Sequence, residues 1–302
     1  MRITQRSVMT TSLAGLNSNL AAVNKLQQQL TSGKTISTPS DSPTLTNRSL
    51  QTRADMSALT QQSRNINDAT AWLETADSTL GNMLDLVHRA RDLTVQGLNS
   101  GAGSAASAES IATEIASIRE SLLGLANTKV QGRPLFGGVT PGTSAYDRTT
   151  GAYVGLPATG APVPVERRLS NVETIRVDIT GLEVFGRAPD DLFGIIGRIA
   201  TGVTDLGASG NAALRDDLVA LDGAITSMLT GIADIGARAS RVERADQINL
   251  ERSLTLKAQL SSIEDVDLPR TIMELQMQQT GYEAALSATA KAIQPSLLDF
   301  LH

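Results

Sequence analysis

The sequence predicts a mainly α fold: an elongated helical bundle rod with terminal coiled-coil arms and a small β-rich insert domain. Three observations carry that reading. Hydrophobic residues make up 41% of the 302-residue chain but aromatics only 3%, so burial rests on Ala, Leu, Ile, Val and Met, which favours packed helices over an aromatic-rich sheet. Apolar residues recur in alternating steps of three and four at both ends and through long central stretches. Residues 131–187 abandon that spacing for Gly, Pro and Thr. The expected segments are an N-terminal arm (1–42), a first rod half (43–135), a β-rich outer domain (136–187), a second rod half (188–262) and a C-terminal arm (263–302).

In the N-terminal arm Met9, Leu13, Leu16, Leu20, Val23, Gln27 and Leu30 form a heptad seam with one polar break. The C-terminal arm repeats the pattern with Ile272, Leu275, Gln279, Tyr282, Leu286, Thr289 and Ile293. Such narrow seams suit helices that pack against one or two partners, and their Gln and Thr interruptions make arms that are firm only when partnered. Charge points the same way. Residues 1–40 hold Arg2, Arg6, Lys25 and Lys34 and no acid, a net of +4, whereas side chains of 261–302 sum to −4. The two ends are electrostatic complements and are expected to meet.

Between the arms, Ser42 and Pro43 read as the N-cap and first residue of a long helix. Its heptad runs from Leu59 through Gln62, Ile66, Ala69, Leu73, Ala76, Leu80, Met83, Val87 and Ala90, and the Gly/Ser/Ala stretch 97–107 ends it. A second stripe follows with Ile111, Ile115, Ile118, Leu122 and Leu125, and a third with Leu214, Leu218, Leu221, Ile225, Met228, Ile232 and Ile235. Three stripes imply an elongated bundle. In the insert Ile175, Val177 and Ile179 alternate with Arg176 and Asp178, the period of a strand. Five of the eight aromatics (Phe136, Tyr146, Tyr153, Phe185 and, just beyond, Phe193) lie in or beside it, which predicts a small core of its own.

Composition excludes several chemistries. The chain has no Cys and two His, His88 and His302, far apart in sequence, so disulfide scaffolds, cysteine nucleophiles and most His-based catalysis or metal binding are not expected. The net charge of −5 gives no basic footprint for nucleic acid. The polar start lacks the apolar core of a cleaved signal peptide, and no stretch reads as a membrane span. Gly33, Lys34 and Thr35 look like the tail of a phosphate loop, but position 28 is Gln and a helix rather than a strand precedes them, so Gly33 is expected to end that helix. The run Gly101–Ala106 fits G-x-G-x-x-A yet joins two helices, which predicts a flexible connection. His88, between Asp85 and Arg91, lacks metal spacing and is expected on a solvated or helix-contacting face. Trp72 reads as packing. Glu264, Asp265 and Asp267 lack the Gly and distal Glu of a calcium loop and are expected at a helix start or partner contact. No catalytic, cofactor or metal residues are assigned, and no enzyme is expected.

The segments TSGKTISTPSDSPTLTNRSLQTR (31–53), NINDATAWLETADSTL (65–80), ANTKVQGRPLFGG (126–138) and IEDVDLPRTIMELQMQQTGYEAALSATAKAIQPSLLDFL (263–301) resemble the flagellin superfamily, and within it the flagellar hook-associated protein 3 family. The insert, with AYVGLPATG at 152–160, matches weakly. The resemblance implies a structural part of the bacterial flagellum at the hook–filament junction, the alternative being a flagellin-type filament subunit. It implies an extracellular location reached through the flagellar export channel and self-association in a ring or helical array. The partners it implies are a hook-associated protein on the hook side, flagellin on the filament side, and an export chaperone before secretion. No nucleic acid, membrane or cofactor is implied. The assembly interface is then expected on the arms, at Met9, Leu13, Leu16, Leu20, Val23 and Leu30, and at Ile272, Leu275, Tyr282, Leu286, Ile293, Leu297, Leu298 and Phe300.

Overall fold

The fold was described from a computed structural model, which defines the backbone over residues 5–99, 105–156, 163–205 and 208–293, and side chains there except at 5–8, 208–209 and 292–293. Seven helices and two short strand pairs follow in order among these residues: α1 (Gln5–Ser32), α2 (Pro43–Asn99), α3 (Ala105–Ala126), β1 (Lys129–Val130), β2 (Arg133–Pro134), β3 (Glu166–Arg168), β4 (Thr174–Arg176), α4 (Gly181–Val184), α5 (Leu192–Gly202), α6 (Ala208–Glu264) and α7 (Leu268–Ile293). The chain folds as two compact units, Met1–Leu59 with Glu251–His302, and Thr60–Leu250. The long helices α2 and α6 contribute to both.

In the second unit the heptads become one buried stripe each. Ile66, Leu73, Leu80, Met83 and Val87 of α2 are buried with Ile111, Ile115 and Leu122 of α3 and Leu214, Leu221, Met228 and Ile235 of α6. Part of α6 is, by length and composition, apolar enough to match a membrane span, contrary to the sequence reading. Here that helix buries one stripe, Leu214, Leu221, Met228 and Ile235, in the core shared with α2 and α3, with Arg91 of α2 paired to Asp222 of α6 at 2.7 Å. His88 is exposed, the solvated one of its two expected settings, and Trp72 is buried.

Residues 127–156 and 163–203 pack onto this bundle. The β1–β2 pair turns at Gln131 and Gly132, both with positive φ (52° and 81°), the backbone that a two-residue hairpin requires. Asn127 organises the next turn. Its Oδ1 accepts from the Ala145 and Tyr146 amides at 2.8 and 2.9 Å, and its Nδ2 donates to the Leu123 and Tyr146 carbonyls at 3.0 Å. Asp191 caps α5 by accepting from the Gly194 amide at 2.9 Å, and Arg119 of α3 donates to the Phe193 carbonyl at 3.0 Å. The five aromatics do cluster, with edge-on ring centroids 4.8–6.0 Å apart. They are continuous with the helical core rather than a core of their own, because strands of two or three residues are too short to enclose one.

Candidate assembly interface

The first unit brings the two ends of the chain together. Gly33 (φ 67°) ends α1, its amide donating to the Gln29 carbonyl at 2.9 Å, a left-handed stop that glycine adopts without a Cβ penalty. The chain that follows pairs with the segment between α6 and α7. Thr35 N donates to Glu264 O at 2.6 Å, Val266 N to Gly33 O at 3.1 Å, and Thr35 Oγ1 to Asp265 O at 3.1 Å. Asp267 starts α7, its side chain accepting from the Arg270 amide at 3.3 Å. Asp41 closes the loop before α2. It accepts from the Thr38 and Ser37 amides at 2.9 and 3.1 Å and pairs with Lys25 of α1 at 3.1 Å. These bonds, the Thr38 amide foremost, hold its carboxyl well below the usual range.

Glu264 lies at the centre of this junction. Its carboxylate is buried and accepts two bonds from Arg53 of α2, Nε at 2.9 Å and Nη2 at 2.8 Å, another from the Ser49 hydroxyl, and the Lys34 ammonium at 3.3 Å. Arg53, then Ser49 and Lys34, outweigh the cost of burial and lower its pKa to about 2. Lys34 also meets Asp265 at 2.6 Å, which raises the lysine pKa, the Asp265 bond being the main cause. The Gly33–Thr35 segment is thus occupied by the chain's own carboxylates and joins α1, α2, α6 and α7. Of the G-x-G-x-x-A run, 101–104 lie outside the described residues.

From this junction α1 and α7 run antiparallel and closely packed, with Gln278 Nε2 donating to Asn19 Oδ1 at 3.2 Å midway. The covered line of α1 comprises Ser12, Leu16, Asn19, Val23, Leu26 and Leu30, and that of α7 comprises Thr271, Leu275, Gln278, Tyr282, Ala285 and Thr289. Leu16, Val23, Leu30, Leu275 and Tyr282 of the predicted set are therefore turned towards the partner arm. Met9, Leu13, Leu20, Ile272 and Leu286 are not; they are 41–51% exposed. The side chain of Ile293, and Leu297, Leu298 and Phe300 altogether, lie outside the described residues. The sequence reading missed Leu26, because the seam was drawn through Gln27, and it missed the tie of Glu264 to Ser49 and Arg53. A carboxylate beside an apolar Ile263, in a chain end short of cations, was the available signal.

A seam with polar members and an apolar line left over is what a helix pair needs to dock further helices while staying soluble on its own. The matching family models are the bacterial flagellin N-terminal helical region, over residues 3–140, and C-terminal helical region, over 218–301. Flagellar hook-associated protein 3 of Escherichia coli K12 is 26% identical over 309 residues, covering 95% of this chain and 96% of its own. The same protein of Salmonella typhimurium is 26% identical over 186 residues, 61% of this chain, and the match spans 57% of that relative's length. Among solved structures, the flagellar junction protein of Legionella pneumophila superposes with a TM-score of 0.56 at 16% identity, covering 71% of this chain and all of that one, a likeness of fold. The two helical regions of the family occupy both ends of this chain, and their residues build the α1–α7 pair and the Glu264 junction: the chain belongs to the bacterial flagellin family, alongside the flagellar hook-associated proteins.

Proposed function

We propose that this chain is a structural adaptor at the hook–filament junction of the bacterial flagellum, joining the hook side to the flagellin filament. The observation that carries this is the α1–α7 pair, which covers one line of each helix and leaves Met9, Leu13, Leu20, Ile272 and Leu286 uncovered, taken with the end-to-end match to a hook-associated relative. The arms are the assembly element. Self-association in a ring or helical array, a hook-associated neighbour on one side and flagellin on the other follow from an interface that repeats. Before export a chaperone covers the exposed arm face. The role is structural rather than enzymatic, and its site is extracellular.

The second reading is a bulk filament subunit, favoured by the flagellin models that match both ends. Tag labelling on whole cells separates the two. The adaptor gives one band per flagellum at the base of the filament; label along the whole filament, or long filaments formed by the purified chain alone, establishes the filament subunit instead.

A further inference from the structure

Two buried hydroxyls in the aromatic cluster of the second unit, those of Tyr146 and Tyr153, have no hydrogen-bond partner among the described residues. Tyr146 is 1% exposed, and Tyr153 packs against the same core. A buried hydroxyl left without a partner is worse for stability than a Phe ring in its place. Two of them in one small cluster therefore call for a shared partner.

The backbone sets the two side chains next to each other. Tyr146 and Tyr153 face one another across an antiparallel bridge, between the bonds from Val154 N to Ala145 O and from Asp147 N to Ala152 O, each 2.9 Å. That is a non-hydrogen-bonded pair, the kind in which facing side chains leave on one side and start closest together. The rings meet edge-on with centroids 5.3 Å apart.

Both hydroxyls end against glycine. A Cβ at Gly181 would overlap the Tyr146 hydroxyl, and one at Gly155 would overlap the Tyr153 hydroxyl. Neither glycine has a positive φ, so what each supplies is room. Gly181 N donates to Phe136 O at 2.9 Å and Leu156 N to Gly137 O at 3.3 Å, which ties both glycine segments to neighbouring residues of one strand of chain. Burial is the main cause that raises both phenols, Tyr153 to about 12 and Tyr146 further, with Asp191 and then Tyr153 adding to the rise at Tyr146. Both side chains therefore stay protonated, and each offers one donor and acceptor lone pairs.

We infer that one water molecule is bound between the Tyr146 and Tyr153 hydroxyls as a fixed part of the second unit. Two O–H···O bonds through a single oxygen span about 5.5 Å, in keeping with rings 5.3 Å apart on paired positions. The water accepts from one hydroxyl and donates to the other, so neither polar group is buried unpaired. It joins the 145–154 ribbon to the turn at Gly181 from inside the core. The site does not depend on where in the flagellum the chain acts.

Tyr146→Phe and Tyr153→Phe, singly and together in the full chain, test this through urea unfolding followed by the fluorescence of Trp72, the sole tryptophan, which is buried in the same unit. Each single variant gives up the shared water and leaves the other hydroxyl unpaired, so its unfolding constant should rise about tenfold. The double variant has no hydroxyl left to satisfy and should be no less stable than either single one. An unfolding constant unchanged or lowered in either single variant would mean that no water is held there. A double variant near the product of the two effects, about a hundredfold, would mean that each hydroxyl has a partner of its own, and either result overturns the inference. A crystal structure of the native chain supplies the second measurement: density for one oxygen within about 3 Å of both hydroxyls is expected, and a protein group in its place, or no density there, overturns the inference.

Discussion

Replacing Glu264 by Gln removes the one negative charge that Arg53, Ser49 and Lys34 share, while keeping the size of the side chain and an oxygen for the Ser49 hydroxyl. In the folded chain the carboxyl titrates at about 2, against an ordinary 4.5. A folded value below the unfolded one means that the unfolded chain binds more protons between those limits, so the stability from this group is complete above about pH 4.5 and is lost as pH falls through about 2. The difference corresponds to at most about 3 kcal/mol at neutral pH. Hydrogen exchange of the peptides around 45–56 and 262–275, corrected for intrinsic rates, reads it locally. Native chain at pH 7 should be protected about 100-fold more than Glu264→Gln, and the gap should close by about pH 2. Asp41, also lowered, titrates in both proteins and cancels in the comparison. Equal protection at pH 7, or a gap that persists at pH 2, would refute the claim that this carboxylate holds the junction together.

Two further outcomes are expected. Asn127→Ala should destabilise the second unit by about 1–3 kcal/mol in urea denaturation, because its amide serves the Ala145 and Tyr146 amides and the Leu123 and Tyr146 carbonyls at once; a change within a few tenths would show that water replaces it freely. In dilute chain, exchange should be faster in α1 and α7, which cover one line each, than in α2 between 60 and 95, whose stripe is buried throughout; equal protection would mean that the arms need no neighbours.

The helices were legible because their signals are local. Pro43 and Gly33 marked a start and a stop, and the stripe from Ile66 to Ala90 named the buried face of α2 residue by residue. The clustering of Phe136, Tyr146, Tyr153, Phe185 and Phe193 was legible too, since a chain this poor in aromatics has little else to place there. What periodicity could not supply was the division of each arm's apolar residues between the partner arm and the outside. Leu16 and Leu20 sit one turn apart in the same seam, yet Leu16 turns to α7 and Leu20 does not, because the choice depends on how the second helix crosses. The bond from Ser49 to Glu264 spans 215 residues, and no local pattern links them. The short helix Leu192–Gly202 was absorbed into the rod by sequence, although Asp191 before it is a recognisable cap.

The central claim is that the outer face of the arms builds the junction, and Leu286→Glu in otherwise native cells tests it most directly. Leu286 is 51% exposed in the free chain, so the variant should fold, and the melting of the second unit should scarcely move. In the assembled flagellum a buried Leu contributes roughly 1.5–3 kcal/mol and an unpaired buried carboxylate costs several more, a penalty repeated in every copy. The account predicts cells with hooks, no attached filaments, and flagellin shed into the medium; attached filaments and normal swimming with Leu286→Glu would contradict it.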